Sequence, residues 1–517
     1  MILAYEKMIL AYEKMILAYA EMISAYEKTI SALSKMISAY EKTISAFEKM
    51  ISAFSKTVSA YDKTILAFEK IIFLPRKVIF LPRKIVSLPR EIISLPFQII
   101  LKDLPRPPCP GWIANVIALG MGARVAYTRW HDMNTPQPLG LKKSFGFGDR
   151  LGLATPGHFA AFKKFNFAPI FAQQSIREME RTQRTPQEVI AAAQTAVTQL
   201  GYTGAWGADA DHMKLPEHAE YTAAAGFCFF TIDPSEHVGK GALTGELESL
   251  YLEKKFEIGG TFDRTSLYYA AVKYGRALEH IRHMGWHIAQ VMGDRPFEIE
   301  ISVDETNAPT SVLEHLFIAL ELKRNRVPNV VSVAPRFVGE FEKGIDYKGD
   351  IQQFEAALQQ HVAIARHYGP YKLSVHSGSD KFSVYPIFGR LCGELLHVKT
   401  AGTSYLEAMR VVARTNVKLF SEIAEFCRGR FDTDRKSYHI SATTAQVAAL
   451  PKFTGKEEAV YLDEVAGRQL LHVTFGSVLT SPQFKPRILE TLNKYADLHA
   501  ELLEKHFTKH LSLLSQG

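Results

Sequence analysis

The sequence predicts an α/β protein: a (β/α)8, TIM-like barrel over residues 109–517, preceded by a heptad-repeat helix over 1–70 and a proline-containing repeat linker over 71–108. Three observations carry this expectation. After residue 120, apolar β-rich runs alternate with longer helical patterns, as a parallel α/β fold requires. The runs number eight. Each passes from apolar to polar at its C-terminal end, and in a barrel those ends form one rim, where barrel enzymes keep their chemistry. The competing arrangement, an open doubly wound sheet, would gather the same polar ends in a crevice.

The chain starts with a seven-residue repeat that runs for fourteen units without a register break. In the first ten units, variants of MISAYEK, Ile recurs at the second position and Tyr or Phe at the fifth. That is the a/d spacing of a heptad, with Glu and Lys opposite. A helix of about 70 residues would be about 105 Å long and would need a partner to cover its aromatic seam. From Ile71 the unit becomes IIFLPRK, and Pro75, Pro82, Pro89 and Pro96 fall once per heptad. Each proline would cost a helix interior about 3 kcal/mol, so the helix ends near Lys70 and an extended linker follows. The segment reads either as a coiled-coil oligomerisation stalk, making the protein a homo-oligomer, or as a tandem duplication without function. It holds no catalytic groups.

Charge is distributed unevenly. Of the formal +7, residues 1–105 supply +5, with fifteen Lys and Arg against ten Asp and Glu. The near-neutral remainder offers no footprint for nucleic acid. No run of eighteen uncharged apolar residues predicts a membrane span, and the first residues lack the pattern of a secretory leader. Cys109, Cys228, Cys392 and Cys427 are scattered without a C-x-x-C pair, which argues for a reducing compartment and a cytoplasmic location.

The strands follow in order. The first, near 143–147, leads into Gly148, Asp149 and Arg150. The second, APIFAQQS, ends at Gln173, Gln174 and Ser175. The third ends at Asp209, Asp211 and His212, and the fourth, FCFFTIDPSEH, at Asp233 and His237. The fifth, FEIEISVDET, carries Glu300 and ends at Asp304 and Glu305; the sixth, VVSVAPRF, ends at Arg336. The seventh, YKLSVHSGSDK, ends at His376, Ser377, Ser379, Asp380 and Lys381, and the eighth at Lys399, Thr400 and Ser404. Between them, Thr185-Pro186-Gln187-Glu188 opens a helix with a cap, a proline and a first-turn acid. Residues 266–291 and 403–428 read as long amphipathic helices, 486–514 as a helical tail, and the glycine- and charge-rich insertion 238–264 as a lid.

His212, Glu300 and His376 lie at or near three different strand ends and are the expected metal ligands. Two imidazoles and a carboxylate suit one divalent cation, Zn²⁺, Mn²⁺, Co²⁺ or Ni²⁺, with positions left open for substrate. His237 and Asp211 are the substitutes. Gln173, Gln174, Ser175, Ser377, Ser379 and Thr400 suit a polyhydroxylated ligand, and Arg177, Arg336, Lys381 and Lys399 could clamp a carboxylate or phosphate. Asp209, Asp304 and Glu178, with Asp233, are candidate acid/base or orienting groups. Gly146-Phe147-Gly148 is not a dinucleotide loop: Gly152 comes one residue too late and no acidic strand end follows at the required distance.

Nine strings, in order, carry a family resemblance: SFGFGDRLGLATPGH from Ser144, PIFAQQSIRE from Pro169, GADADH from Gly207, FTIDPSEHV from Phe230, SVDET from Ser302, FEKGIDYKGD from Phe341, SVHSGSDKFSVYP from Ser374, HVKTAGTSYLEA from His397 and DRKSYHIS from Asp434. Together they resemble the tagaturonate epimerase family, metal-dependent enzymes that interconvert tagaturonate and fructuronate in hexuronate catabolism. The resemblance implies a barrel, a divalent metal held by His212, Glu300 and His376, and a keto-uronate as the small-molecule partner. The chain departs from the family at its front, where heptads and linker replace an ordinary α/β segment, so the closure of the barrel at its N-terminal side is left open. The expected chemistry is metal-assisted retro-aldol cleavage and re-formation. The alternatives are a class II-type ketose aldolase or a sugar isomerase on the same barrel, and a non-catalytic coiled-coil scaffold.

Overall fold

The computed structural model describes residues 134–400 and 402–516; the expected heptad helix, the linker and residues 109–133 lie outside them. Eight parallel strands close into a barrel: β1 (Ser144–Gly148), β2 (Ala168–Ser175), β3 (Gly207–Met213), β4 (Phe229–Ile232), β7 (Glu298–Val303), β8 (Val330–Pro335), β9 (Lys372–Val375) and β10 (Leu396–Thr400), with β5 (Lys255–Phe256) and β6 (Gly260–Thr261) forming a separate short hairpin. Strand β1 pairs with both β2 and β10, which completes the ring. All eight polar-ended runs are strands of this ring. Their outward residues, among them Phe145, Phe147, Phe171, Ala208, Ala210, Ile299 and Ile301, join the helices in one continuous apolar core.

The inside of the ring is polar above its floor. Leu139 packs on Ile170 and Phe229 at the bottom. The amides of Leu139 and Gly140 donate to the Glu298 carboxylate at 2.7–3.2 Å. Residues 139–140 thus cover the floor of the barrel. Above the floor, Lys372 donates to Ser144, which also bonds the His397 ring.

Most helices form where the sequence places them. Thr185 caps Pro186–Gln199 as expected, and Glu188 returns the bond by accepting from the Thr185 amide. Arg264–Met292 is one helix of 29 residues, capped by Asp263. The stretch expected as one helix over 403–428 is two, Thr403–Thr415 and Val417–Asp434. Asn416 leaves helical geometry between them, and its side chain caps the second by accepting from the Leu419 amide; asparagine competes with the helix for backbone hydrogen bonds in this way. These two helices, with Val465–Thr480 and Lys485–Lys494, build a second apolar cluster.

The insertion over 238–264 does not form a lid. Its helix, Gly245–Tyr251, packs on the outer helices: Tyr251 donates to Glu321 at 2.5 Å, and Glu246 pairs with Arg324, both partners lying at the C-terminal end of the helix Val312–Arg324. That helix runs against the strands, so its C-terminal end faces the floor. Among the described residues no helix is long and apolar enough to cross a membrane.

The closing contact of the fold is tight. The helix Thr155–Phe162 meets the final helix, Ala496–Leu514, at Gly157, where an added Cβ would lie 2.5 Å from Leu503 Cβ and 2.8 Å from the Ala500 carbonyl. Gly157→Ala is expected to cost about 1–3 kcal/mol, the usual penalty of overpacking, read as a lowered denaturation midpoint.

Candidate active site

The rim and the layer beneath it converge on one cluster. Asp209 and Asp211, two apart on β3, both point inward, as the two-residue period of a strand dictates. Beneath the rim, Lys399 of β10 places its ammonium 2.7 Å from Asp209, 2.8 Å from Asp211 and 2.7 Å from Glu300, and donates to Thr231 at 2.6 Å. Thr231 in turn donates its hydroxyl hydrogen bond to Asp209 at 2.9 Å. These groups are nearly sealed from solvent. One buried ammonium thus bridges a nest of three carboxylates, and they hold it well above the usual lysine range in spite of burial. Burial, with Asp211 and Glu300 nearby, pushes Asp209 up to about 7 against the pull of Lys399.

Two imidazoles stand above the nest with their rings edge to face, 4.9 Å apart. His212 Nδ1 bonds Asp233 at 3.2 Å. His376 Nε2 bonds Glu300 at 2.6 Å, and its Nδ1 lies 3.3 Å from Asp304. Burial opposes charge on both rings, but Asp211 and Asp233 hold His212 up at about 9, and Asp304 and Glu300 hold His376 up at about 10. His212 and Ser377 both adopt left-handed backbone, φ +53° each. Non-glycine residues rarely do so, and such strain gathers at functional sites.

Donor atoms of Asp211, His212 and His376 all lie within 4.8 Å of one another. The donor set fits a divalent ion in chemistry and in charge. The acidic surroundings draw both imidazoles toward protonation, and a dication there would supply the same two charges while displacing the protons. Asp233 bonds Nδ1 of His212 and Glu300 bonds Nε2 of His376; carboxylate contacts of this kind orient metal-ligating histidines. The trio differs from the expected one in its carboxylate. Glu300 is aligned with Thr231 one level lower and is committed to His376 and Lys399, whereas Asp211, the expected substitute, stands beside both rings. His237, the other substitute, lies elsewhere, stacked on His280 at 4.3 Å.

A second trio, Asp380, His506 and His510, is closed to metal by its own bonds. Arg468 holds Asp380 at 2.7 Å, and the Asp380 amide donates to His510. It fixes the loop that carries Ser377.

A cavity of about 380 Å³ opens over the cluster, lined by Arg177, His212, Asp304, Arg336, Lys343, His376, Ser377 and Tyr438 among others. It continues inward to a recess of about 40 Å³ reaching Gln173, Ser175, Glu178, Asp211 and Lys399. Gln173 donates to Asp211 at 3.2 Å and keeps its carbonyl oxygen buried without a partner, a spare acceptor for a ligand hydroxyl. Ser175 caps the helix Ile176–Thr182. Glu178 is held by Arg150 at 2.6 Å, and Arg336 is tied to the Thr306 carbonyl and to Glu340.

Four expected ligand-binding residues stand apart from the cavity, one of them Thr400, whose hydroxyl donates to the Gly146 carbonyl. Lys381 is fully buried and donates to the carbonyls of Glu342, Ile345 and Ser379; burial pushes it down to about 7. Ser379 is buried in the same loop. Gln174 pairs in register with Ala210, so it faces the helices, not the barrel interior. Conversely, the residue reading singled out neither Lys343 nor Tyr438. Both come from loops, and their only signal was membership of the strings FEKGIDYKGD and DRKSYHIS.

Fold and cluster together define a (β/α)8-barrel enzyme of a small polar substrate, and the comparisons with known proteins narrow it further. The profile of the tagaturonate epimerase family matches residues 115–514. The chain belongs to that family, carbohydrate epimerases of the isomerase class. It is 45% identical over 399 residues to the tagaturonate/fructuronate epimerase of Thermotoga maritima, covering 73% of this chain and 82% of that one. It superposes with a TM-score of 0.70 and 38% identity on crystal structures of the fructuronate-tagaturonate epimerase UxaE of Cohnella laeviribosi, native and with one glycerol bound, covering 74% of this chain and 83% of theirs.

Proposed function

We propose that this protein interconverts tagaturonate and fructuronate in the cytoplasm by opening and re-forming the carbon–carbon bond next to the inverted centre. Its family and the reaction named for its relatives support the substrate pair. The observation that carries the chemistry is the convergence of Asp211, His212 and His376 on a polar cavity, with Asp304 at its wall.

The two keto-uronates differ at a carbinol carbon two bonds from the ketone carbon. Its C–H is not adjacent to the carbonyl, so removing that hydrogen gives no stabilised anion. Cleaving the bond between this carbon and the α-carbon does. The electron pair moves toward the ketone to give an enediolate, while the β-hydroxyl loses its proton and becomes an aldehyde. The aldehyde turns, the bond re-forms on its other face, and the proton returns.

A divalent ion held by Asp211, His212 and His376 would supply Lewis-acid stabilisation of the oxygens that gain charge. Asp304 is the group that takes and returns the hydroxyl proton. It faces the wide part of the cavity, 3.3 Å from His376 Nδ1, where positive charge on the His376–His212 cluster, or the dication that would replace it, favours its ionised form although burial opposes this. Glu178, pinned by Arg150, and Asp209, beneath Lys399, are positioning groups. Gln173 and Ser377 hold ligand hydroxyls.

The test is turnover of tagaturonate deuterated at the inverted carbon, followed by NMR. Fructuronate that keeps the label at that carbon, without net accumulation of three-carbon products, is the expected result. Loss of the label to solvent would contradict bond cleavage, and net cleavage would make the protein an aldolase.

A further inference from the structure

The cavity holds a cation that the reaction above does not use. Lys343 belongs to the loop after β8 and borders both the wide cavity and its inner recess. Its ammonium donates to Ser377 Oγ at 2.5 Å, and among the described residues no carboxylate sits within ion-pair distance of it. The other cations of the site are engaged. Lys399 bridges three carboxylates, and Arg336 is bound to Thr306 and Glu340. Arg177 pairs with Glu305 at 3.6 Å and lies over the Tyr438 ring, 5.9 Å from its centroid.

Burial and the neighbouring Arg177 guanidinium both push the Lys343 ammonium below its usual range. Lys343 and the partly exposed Arg177 line the same cavity wall, where two like charges repel each other. Such a pair is stabilised by an anion that meets both. The loop is built to keep this arrangement. The Lys343 carbonyl accepts from Gln469, and the next carbonyl, of Gly344, accepts from Arg468 at 2.5 Å, which is itself anchored on Asp380.

We infer that Lys343, with Arg177 beside it, receives the carboxylate of the substrate and so determines specificity for a sugar acid over its uncharged counterpart. This rests on the keto-uronate reading of the site and extends it. The sequence offered Arg177, Arg336, Lys381 and Lys399 for this task; Arg336 is tied to Thr306 and Glu340, Lys381 is spent on main-chain carbonyls and Lys399 on the carboxylate nest, which leaves Arg177, with Lys343 beside it on the cavity wall. Charge-assisted hydrogen bonds exceed neutral ones by roughly a factor of two in strength, so the preference is expected in binding and not in the chemical step.

The experiment compares full-length wild type, Lys343→Met and Lys343→Arg. In steady-state kinetics, Lys343→Met is expected to raise KM for tagaturonate about 10- to 100-fold with kcat changed far less, the size expected for a lost bond to a charged group. Lys343→Arg should recover most of the loss. Calorimetric titration with galactonate, an acid without the ketone, should show a similar loss of affinity in Lys343→Met. Galactitol, its uncharged counterpart, should bind both proteins equally weakly. An unchanged KM for tagaturonate in Lys343→Met would overturn the inference while leaving the epimerase reading intact. Equal weakening toward galactonate and galactitol would also overturn it, by showing a merely structural role. If wild type failed to convert tagaturonate yet galactonate binding still depended on Lys343, the epimerase reading would fall and the carboxylate site would stand.

Discussion

His376→Ala is expected to lower turnover of tagaturonate by at least about 10³-fold while leaving the protein folded. The ring does three things at once. On the proposed reading it would offer one nitrogen to the ion; it also bonds Glu300 at 2.6 Å and lowers the Asp304 carboxyl below its usual range. Loss of an orienting partner alone typically costs 10–100-fold in metal affinity or activity, and loss of a ligand costs more. Asp233→Asn provides the graded comparison. It keeps the shape, removes the charge behind His212, and should lower metal affinity by about 10–100-fold. The check is metal content and kcat measured on the same preparations. A His376→Ala protein with full metal content and turnover within tenfold of wild type would exclude the ring from the site's chemistry.

The largest effect on stability is expected at Lys399. Among the described residues, Lys399→Met removes the only ammonium in contact with Asp209, Asp211 and Glu300. Breaking a buried ion pair by deleting one partner costs about 3–5 kcal/mol, because the other charge is left uncompensated. The pH dependence distinguishes this from lost packing. Unfolded carboxylates titrate near 4. In the folded protein Asp209 already titrates near 7, and without Lys399 its two neighbours are drawn upward as well. Between those values the folded state then binds more protons than the unfolded state, so its stability falls as pH rises. The deficit of Lys399→Met against wild type should therefore be larger at pH 8 than at pH 5.5. Denaturation of the metal-free proteins at the two pH values measures it, and a deficit independent of pH would point to packing instead.

Much of this fold was legible because its strands are buried on both faces. Such strands read as apolar runs, and the switch to polar residues at Gln173, Asp211, Asp304 or His376 marks the end where the barrel opens. Height within the barrel was not legible. Glu300 and Asp211 both look like strand-end carboxylates, but the stagger between neighbouring strands sets Glu300 a level below the imidazoles, and stagger leaves no trace in a single strand. Side-chain direction after a strand ends was equally hidden. Ser377 lines the cavity, while Ser379 and Lys381 turn into the loop interior because Ser377 and Asp380 take left-handed backbone. Lys343 and Tyr438 reach the site from loops, where no periodicity betrays a destination. The insertion read as a lid was misjudged for the opposite reason. Its glycines and charges describe a surface segment, and nothing local says which end of the barrel that surface covers.

The central claim is that a divalent ion bound by Asp211, His212 and His376 supports epimerisation of tagaturonate. Exhaustive dialysis against a chelator, followed by addition of Zn²⁺, Mn²⁺, Co²⁺ or Ni²⁺ in turn, tests it most directly. The account predicts that fructuronate formation stops on removal and returns with at least one of these ions at one per chain, and that a His212→Ala, His376→Ala double variant neither retains the ion nor recovers. Undiminished conversion by protein shown to contain no metal would contradict it.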